Sequence, residues 1–221
     1  SFVSDVKVAA ELDAKSQSEV ESGKASEVPL AEVVKRCVVT PRFPVDEGWK
    51  WKNDNWVRRV RCIDDFSASF INAATAPGES IHNDTLDVLV ALLHSAGGSR
   101  KPVRFRKDDF VSAYKTLPLR LDDLELAVTV WRDASGSLRT MQLHCCPFGA
   151  VASVHAWHRL GAAMQCILAN LFLVVYARYV DDLFSLDEVE QPDFKSEFIG
   201  PTGTATVARQ VIQELLGWEL D

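Results

Sequence analysis

The sequence predicts an α+β fold, in which short antiparallel strands pack against helices. Three observations support this prediction. Residues 103–110 alternate apolar and basic side chains, which is the period-two pattern of a half-buried strand. Residues 126–131 and 138–143 are two further candidate strands, and the turn signal between them, Asp133-Ala134-Ser135-Gly136, predicts a β-hairpin. Residues 150–171 are rich in alanine and mostly apolar, which predicts one long helix.

The composition is that of an ordinary globular protein with one large domain or two small ones. Apolar residues make up 47% of the 221 residues and charged residues 25%, so a sizeable core can form. The formal net charge of −7 argues against a generally basic nucleic-acid binder. The charge is uneven, however, because basic residues predominate between residues 50 and 61. Such a local patch matters more for phosphate contact than the net value does.

The five cysteines form no Cys-x-x-Cys pair. Their odd number and scattered spacing predict reduced thiols and therefore an intracellular protein, either cytoplasmic or nuclear. The most apolar segment, residues 167–175, is too short to span a bilayer, so we expect no membrane partner.

The N-terminal part is predicted to be an acidic extension followed by strands. Residues 1–40 form this extension, and within it residues 1–28 are either a solvated helix or disordered. Residues 56–66 are typical of a strand. In that strand Arg59 and Arg61 share one face and could hold a phosphate between them.

The segment Gly48-Trp49-Lys50-Trp51-Lys52 alternates aromatic and basic side chains and has two interpretations. Its tryptophans either fold back on to the core from a surface turn, or lie on a strand that contacts nucleic acid by stacking and charge. Two more helices are predicted from apolar periodicity. They are residues 84–95, ended by Gly97-Gly98, and the amphipathic residues 207–216.

Two adjacent aspartates, Asp181 and Asp182, follow an apolar run and predict a tight hairpin with carboxylates at its tip. Carboxylates at such a tip suit Mg²⁺, which takes oxygen ligands. This pair alone does not define a site, because three other Asp-Asp pairs occur: Asp64-Asp65, Asp108-Asp109 and Asp122-Asp123.

Other groups that could act as ligands have plainer interpretations. We expect Asp64-Asp65 and Asp122-Asp123 to be turn or surface carboxylates, and Cys145-Cys146 to serve packing. His155 and His158 are three residues apart on one helix face. No matching Cys or carboxylate pair is nearby in sequence, so we expect no zinc site there.

The order of the elements allows two acidic sites to meet. A strand that ends in Asp108-Asp109 is followed by a hairpin, a Pro-x-Gly turn, the long helix, and the hairpin of Asp181 and Asp182. A helix between two acidic strand ends can bring them together on neighbouring strands. Two-metal phosphoryl transfer needs such a cluster, because the carboxylates must serve two ions about 3.5–4 Å apart.

Five segments resemble motifs of reverse transcriptases, and they occur in the same order as in that family. They are Arg61-Cys62-Ile63-Asp64-Asp65-Phe66, Lys107-Asp108-Asp109-Phe110-Val111-Ser112-Ala113-Tyr114-Lys115-Thr116-Leu117-Pro118-Leu119, Cys146-Pro147-Phe148-Gly149-Ala150, Tyr179-Val180-Asp181-Asp182, and Leu215-Leu216-Gly217-Trp218. Residues 148–156 look most like those of tyrosine-recombinase retroelements. The chain departs from the family pattern at two places. Phe148 stands where many members have Gln, and no Lys follows Trp218.

The resemblance implies a right-hand polymerase fold with an antiparallel palm sheet. Residues 41–102 would form part of the fingers. Residues 103–221 would form the palm with an inserted fingers hairpin, truncated before the thumb. The chain would then be one part of a larger polyprotein that supplies the thumb and a ribonuclease H or recombinase domain.

The resemblance also implies roles for individual residues, by matching position. The catalytic residues would be Asp109, Asp181 and Asp182, which with the backbone of Phe110 would bind two Mg²⁺ ions, or Mn²⁺ in their place. The match assigns this role to Asp109 and not to Asp108. The nucleotide-binding residues would be Arg59, Arg61, Phe110, Ala113, Tyr114, Phe148 and Gly149.

The function implied is that of an RNA-directed DNA polymerase, a nucleotidyltransferase that uses deoxynucleoside triphosphates and a primed RNA or DNA template. Tyr114 matches the position of an aromatic gate against the ribose 2′-hydroxyl, although a core aromatic is the alternative. Two other functions stay open. One is an RNA-directed RNA polymerase, and the other is an inactive retroelement remnant that only binds nucleic acid. Without a thumb, we also expect that this fragment alone can lack activity.

Overall fold

Helices and mainly antiparallel strands make up the computed structural model, which describes residues 6–36, 38–52, 54–96, 103–188 and 204–220. The predicted α+β class is therefore confirmed. The helices are α1 (Val6–Glu21), α2 (Leu30–Arg36), α3 (Ile71–Ala74), α4 (Leu86–Ala96), α5 (Val151–Phe172) and α6 (Thr204–Gln210). The strands are β1 (Ala25–Glu27), β2 (Val39–Lys52), β3 (Asn55–Asp64), β4 (Val103–Asp109), β5 (Val128–Arg132), β6 (Leu138–Leu143), β7 (Ala177–Tyr179) and β8 (Asp182–Glu188).

Most of the periodicity-based elements lie within a few residues of their predicted positions. The long helix is α5, the predicted hairpin is β5 and β6, and the strand that carries alternating basic residues is β4. The C-terminal helix differs from its prediction, because α6 ends at Gln210 and continues as a π-helical turn, Val211–Leu215. No helix among the described residues is long and apolar enough to cross a membrane.

The chain divides into two compact units. The first consists of Ser1–Gly78 and Tyr114–Val154, and the second of Glu79–Ala113 and His155–Asp221. These units differ from the predicted segments 1–40, 41–102 and 103–221, because each unit joins two separate stretches of chain and residues before 40 supply two helices and a strand to the first unit.

The first unit contains a five-stranded sheet in the order β1-β6-β5-β2-β3. Its neighbours are antiparallel except for β2 and β5, which run parallel. Strands β2 and β3 form a long hairpin, in which the register shifts between Asp46 and Trp49. Gly48, with φ +86°, lies within this irregularity and allows it.

Helix α1 packs against this sheet and closes the core of the first unit. Leu12 is buried in one cluster with Trp131, Met141 and Leu143. The Trp131 indole also donates a hydrogen bond to Asp13 at 3.1 Å. Residues 6–21 therefore form a helix, as one of the two predicted alternatives states, but one side of this helix packs on the core; the alternative of disorder is wrong for them.

A buried ionic cluster joins α1 to the β2–β3 hairpin. Arg42 donates two hydrogen bonds to Asp64, at 2.7 and 2.9 Å, and further ones to Glu19 and Ser16, each at 3.1 Å. Burial would raise the pKa of Glu19, but the charges of Arg42 and Lys115 hold that pKa below its ordinary value. Asp64 is thus a buried ion-pair carboxylate, and its prediction as a turn or surface residue is wrong.

The second unit contains a three-stranded antiparallel sheet in the order β4-β8-β7. Helices α4 and α6 pack against β8. An aromatic cluster forms the adjoining core, in which the Phe110 ring lies 4.9 Å from the ring of Trp157 and 6.0 Å from that of Trp218. This core lies beside the acidic end of the sheet, because Phe110 directly follows β4.

Candidate active site

The acidic end of the three-stranded sheet brings the predicted catalytic residues together along the backbone. Asp109 at the end of β4 pairs with Asp182 at the start of β8, and Asp182 also pairs with Tyr179. Residues directly opposite on antiparallel strands project from the same face, with Cβ atoms about 4.5–5.5 Å apart. Asp109 and Asp182 therefore share one face of the sheet, and Asp181 lies in the adjoining two-residue turn.

The two aspartates that end β4 face opposite sides of the sheet. Asp109 is exposed, whereas Asp108 is buried. The carboxylate of Asp108 accepts hydrogen bonds from Arg209 at 2.9 Å and from Arg106 at 3.2 Å. Asp108 thus forms internal ion pairs with these arginines. Of the two adjacent aspartates, Asp109 is the one on the exposed face of the sheet.

Lys107 places a positive charge among the candidate catalytic carboxylates. Its ammonium nitrogen lies 2.9 Å from Oδ1 of Asp182. The pKa of Lys107 is raised, chiefly by this hydrogen bond and further by the charges of Asp182, Asp109 and Asp181. All three carboxylates therefore favour the charged form of Lys107, and Asp182 contacts it directly.

The donor chemistry fits Mg²⁺, because all three side chains offer carboxylate oxygens and already attract an ammonium ion. Among the described residues, however, no group of three or more His, Cys, Asp or Glu side chains is arranged to hold a metal ion. A metal bound at Oδ1 of Asp182 would compete with Lys107 for that oxygen. Convergence of Asp109, Asp181 and Asp182 on one metal site therefore stays a prediction.

The turn between β7 and β8 is strained. Val180 has φ 56°, in the left-handed region that a β-branched residue rarely adopts. Such a conformation costs about 1–3 kcal/mol and persists only where the surroundings hold it. Here the Val180 carbonyl accepts a hydrogen bond from the Trp157 indole at 3.0 Å, and its N–H donates to Asn83 at 3.2 Å.

Three of the predicted nucleotide-binding side chains lie together within the first unit. The Arg61 guanidinium carbon is 5.7 Å from the centre of the Phe148 ring, and that ring is 5.9 Å from the ring of Tyr114. Tyr114 is nearly buried, and Phe148 is partly exposed. The group thus combines a cation with two aromatic faces, a set of side chains that suits a phosphate next to a sugar or base.

The two arginines of β3 are both paired with one glutamate. Glu47 lies 2.6 Å from Arg59 and 2.7 Å from Arg61, and both arginine side chains are about half exposed. The predicted common face of Arg59 and Arg61 is therefore confirmed. A phosphate that binds between them would have to replace the carboxylate of Glu47.

Gly149 makes a turn that no other residue fits. Its φ is +102°, and a Cβ atom there would overlap the Asp64 carbonyl oxygen. The side chain of Asn72 spans this turn, because it donates to the Gly149 carbonyl at 3.0 Å and accepts from the N–H of Val151 at 2.9 Å. The start of α5 is thereby tied to α3.

The remaining predicted site residues serve packing as well. Phe110 and Ala113 are both buried, and Phe110 contributes its ring to the aromatic core. Their predicted backbone contacts to metal and nucleotide stay predictions. Cys145 and Cys146 are buried, as expected for packing, and Asp122 is exposed, as expected for a surface carboxylate.

The tryptophans of the β2–β3 hairpin do not fold on to the core. Trp49, Trp51 and Trp56 are all exposed, and Trp51 contacts Trp56 edge to face across the hairpin with ring centres 5.4 Å apart. The interpretation as a surface turn with inward tryptophans is therefore wrong. Contact of this strand with nucleic acid stays a prediction.

Sequence reasoning missed the residues that support the site from a distance. Lys107 and Glu47 neutralise predicted functional groups, and Asn83 and Arg178 bind the strained turn. Only Lys107 carried a local signal, because it lies two residues before Asp109 and so on the same strand face. The acidic residues belong to the second unit, and the arginine–aromatic group belongs to the first.

No protein-family model matches the chain, and no curated protein sequence matches it either. The interpretation of the site therefore depends on its own residues and their geometry.

Proposed function

We propose that this chain is the fingers and palm part of a reverse transcriptase of a retroelement, which transfers deoxynucleotides to a primer on an RNA or DNA template. The observation that carries the proposal is the pairing of Asp109 with Asp182 beside the turn that holds Asp181. It supports the motif order found in the sequence, because separate motifs supply carboxylates to one end of one sheet.

In this proposal Asp109, Asp181, Asp182 and the carbonyl of Phe110 would hold Mg²⁺ or Mn²⁺. When bound, the metal would stabilise negative charge on the attacking and leaving oxygens of the phosphate. Lys107 partly neutralises the carboxylate cluster, and a metal bound at Oδ1 of Asp182 would compete with it for that oxygen.

Arg61 is the residue proposed to hold the triphosphate, because a guanidinium gives bidentate contacts to phosphate oxygens. Its stacking on Phe148 limits its freedom, so less conformational entropy is lost when a nucleotide binds. Glu47 would be exchanged for the incoming phosphate. Arg59 shares this glutamate and would take part in the same exchange.

Tyr114 is proposed to exclude the ribose 2′-hydroxyl. It is almost buried beside Phe148, so its ring is held by packing and cannot easily move aside. We expect Tyr114→Val to increase incorporation of ribonucleotides relative to deoxynucleotides, and Tyr114→Phe to leave discrimination unchanged. Equal rejection of ribonucleotides by wild type and Tyr114→Val would show that the ring has only a core role.

The test of the function is primer extension on an RNA template with Mg²⁺ and deoxynucleotides. Wild type and the exposed-carboxylate control Asp122→Asn should extend the primer, and Asp109→Asn should not. Extension with ribonucleotides at a similar rate would favour an RNA-directed RNA polymerase instead.

An inactive remnant is the second candidate, and two observations favour it. Asp182 is paired with Lys107, and the described residues contain no ready metal group. This candidate predicts that wild type retains a primed template in a binding assay but extends no primer with either Mg²⁺ or Mn²⁺.

A further inference from the structure

The acidic turn is held by two side chains from outside the hairpin, Asn83 and Trp157, and by one from β7, Arg178. Val180 keeps its left-handed backbone while three groups bind it: Asn83 accepts from its N–H at 3.2 Å, and Trp157 and Arg178 donate to its carbonyl at 3.0 and 3.2 Å. Both polar groups of the strained peptide are thus satisfied by side chains. Asp181 directly follows Val180 in the chain. These contacts therefore fix the position of the backbone that carries the carboxylates of Asp181 and Asp182.

The outer edge of β7 is covered by the segment that contains Asn83. The Asp84 N–H donates to the carbonyl of Arg178 at 3.0 Å, and the Asp84 carboxylate accepts from the Arg178 N–H at 2.8 Å. Gln165 of α5 donates to the same carboxylate at 2.8 Å. Asp84 therefore satisfies both main-chain groups of Arg178 at the edge of the sheet, one through its own main chain and one through its carboxylate, and these bonds bring Asn83 to the turn.

The guanidinium of Arg178 is buried within the second unit. Its Nη2 donates to Nδ1 of His158 at 3.1 Å, and its Nε has no hydrogen-bond partner among the described residues. A Cβ atom on Gly161 would lie only 2.9 Å from its Cδ and Nε atoms, so the absence of a side chain there makes room for it. An apolar side chain would fill this space without desolvating a charge. What the arginine adds are donors to the Val180 carbonyl and to His158.

From these contacts we propose that Asn83 and Arg178 are positioning residues, which hold the Val180–Asp181 turn so that Asp181 and Asp182 present their carboxylates in the orientation that catalysis needs. The proposal rests on the proposed polymerase function. Neither residue touches substrate in this role. Each acts on the carboxylates through the backbone of Val180.

The test compares two variants of Asn83, which differ in one hydrogen bond, with a variant of Arg178, which loses the bonds to Val180 and His158. Asn83→Ala removes the acceptor for the Val180 N–H, whereas Asn83→Asp retains an oxygen at that place. Arg178→Met removes the donor with little change in length. Arg159→Met is the matched control, because Arg159 lies on the same helix as His158 but is exposed and paired with Glu79.

Three measurements are made on each protein: the affinity for Mn²⁺ by electron paramagnetic resonance, kcat and KM for deoxynucleotide incorporation, and amide hydrogen exchange at Val180 and Asp181. We expect Asn83→Ala and Arg178→Met to weaken Mn²⁺ binding and lower kcat by about 10–100-fold, as other supporting residues of metal sites do. The KM for the nucleotide should stay near its wild-type value. Exchange at Val180 should become at least about tenfold faster in Asn83→Ala, since opening then costs less. Asn83→Asp and Arg159→Met should resemble wild type.

The proposal is overturned if Asn83→Ala exchanges at Val180 as slowly as wild type, or if it keeps wild-type Mn²⁺ affinity. It is also overturned if kcat falls only in proportion to the folded fraction. A failure of the polymerase function would look different. In that case wild type would incorporate no nucleotide, whereas loss of Mn²⁺ affinity in Asn83→Ala and its recovery in Asn83→Asp would still support positioning.

Discussion

The adjacent residues Asp108 and Asp109 should respond in opposite ways to the same substitution. Asp108 is buried and accepts hydrogen bonds from Arg209 and Arg106, whereas Asp109 is exposed at the acidic end of the sheet. We therefore expect Asp108→Asn to lower the free energy of unfolding and to leave catalysis by the folded protein intact. Asp109→Asn should lower the catalytic rate strongly and leave stability nearly unchanged.

The size of the stability loss follows from the burial of the partners. Removing one member of a fully buried ion pair costs about 3–5 kcal/mol. The side chain of Asp108 is 8% exposed, but those of Arg209 and Arg106 are 26% and 31% exposed, so water can solvate the cations that remain. We expect a loss of about 1–3 kcal/mol for Asp108→Asn. Asp109→Asn, a surface change, should stay within about 0.5 kcal/mol of wild type.

Urea denaturation and single-nucleotide incorporation separate the two effects. The midpoint and slope of unfolding give the change in stability, and the incorporation rate is measured where each variant is fully folded. Asp109→Asn should lower that rate by about 100-fold or more, as expected when a group that stabilises transition-state charge is removed. The reasoning is refuted if folded Asp108→Asn loses activity and Asp109→Asn retains it.

The remaining predictions concern a glycine and a histidine. Gly149→Ala should lower the free energy of unfolding by about 1–3 kcal/mol more than Gly136→Ala does. Both glycines have positive φ, but only at Gly149 would the new methyl group overlap a backbone carbonyl. Equal losses of unfolding free energy for the two variants in urea denaturation would contradict this. Burial and the charge of Arg178 lower the pKa of His158 from 6.5, so the unfolded chain binds the proton more readily. The contribution of neutral His158 to the free energy of unfolding is therefore fully present above about pH 6.5 and decreases as the pH falls below that value. His158→Gln should remove this part of the pH dependence of the melting temperature.

The sequence predicted elements well where one local pattern decides them. The alternation in 103–110 became β4, and the alanine-rich segment 150–171 became α5 almost residue for residue. The resemblance favours Asp109 over Asp108 as a ligand, and of the two only Asp109 is exposed, but its role stays a prediction. In each case the deciding information lies within a few consecutive residues.

The sequence misled where a distant partner decides the environment. Asp64 resembled a surface carboxylate, yet Arg42, twenty-two residues earlier, buries it in an ion pair. Residues 6–21 resembled a polar, solvated segment, but Leu12 packs beneath β5 and β6. Propensity and periodicity contain no information about such partners.

The sequence by itself determined the α+β class, the order of the acidic and glycine-containing segments, and the choice of Asp109, Asp181 and Asp182 as candidate ligands. Only the tertiary structure decided that Asp109 lies opposite Asp182, that Lys107 forms an ion pair with Asp182, and that Asn83 binds the N–H of Val180 in the strained turn. The physical reason is that strand register and side-chain hydrogen bonds join residues many positions apart. The energies of these long-range contacts depend on how the whole chain folds. The pattern that predicts a helix or a strand, in contrast, is contained in consecutive residues of the sequence.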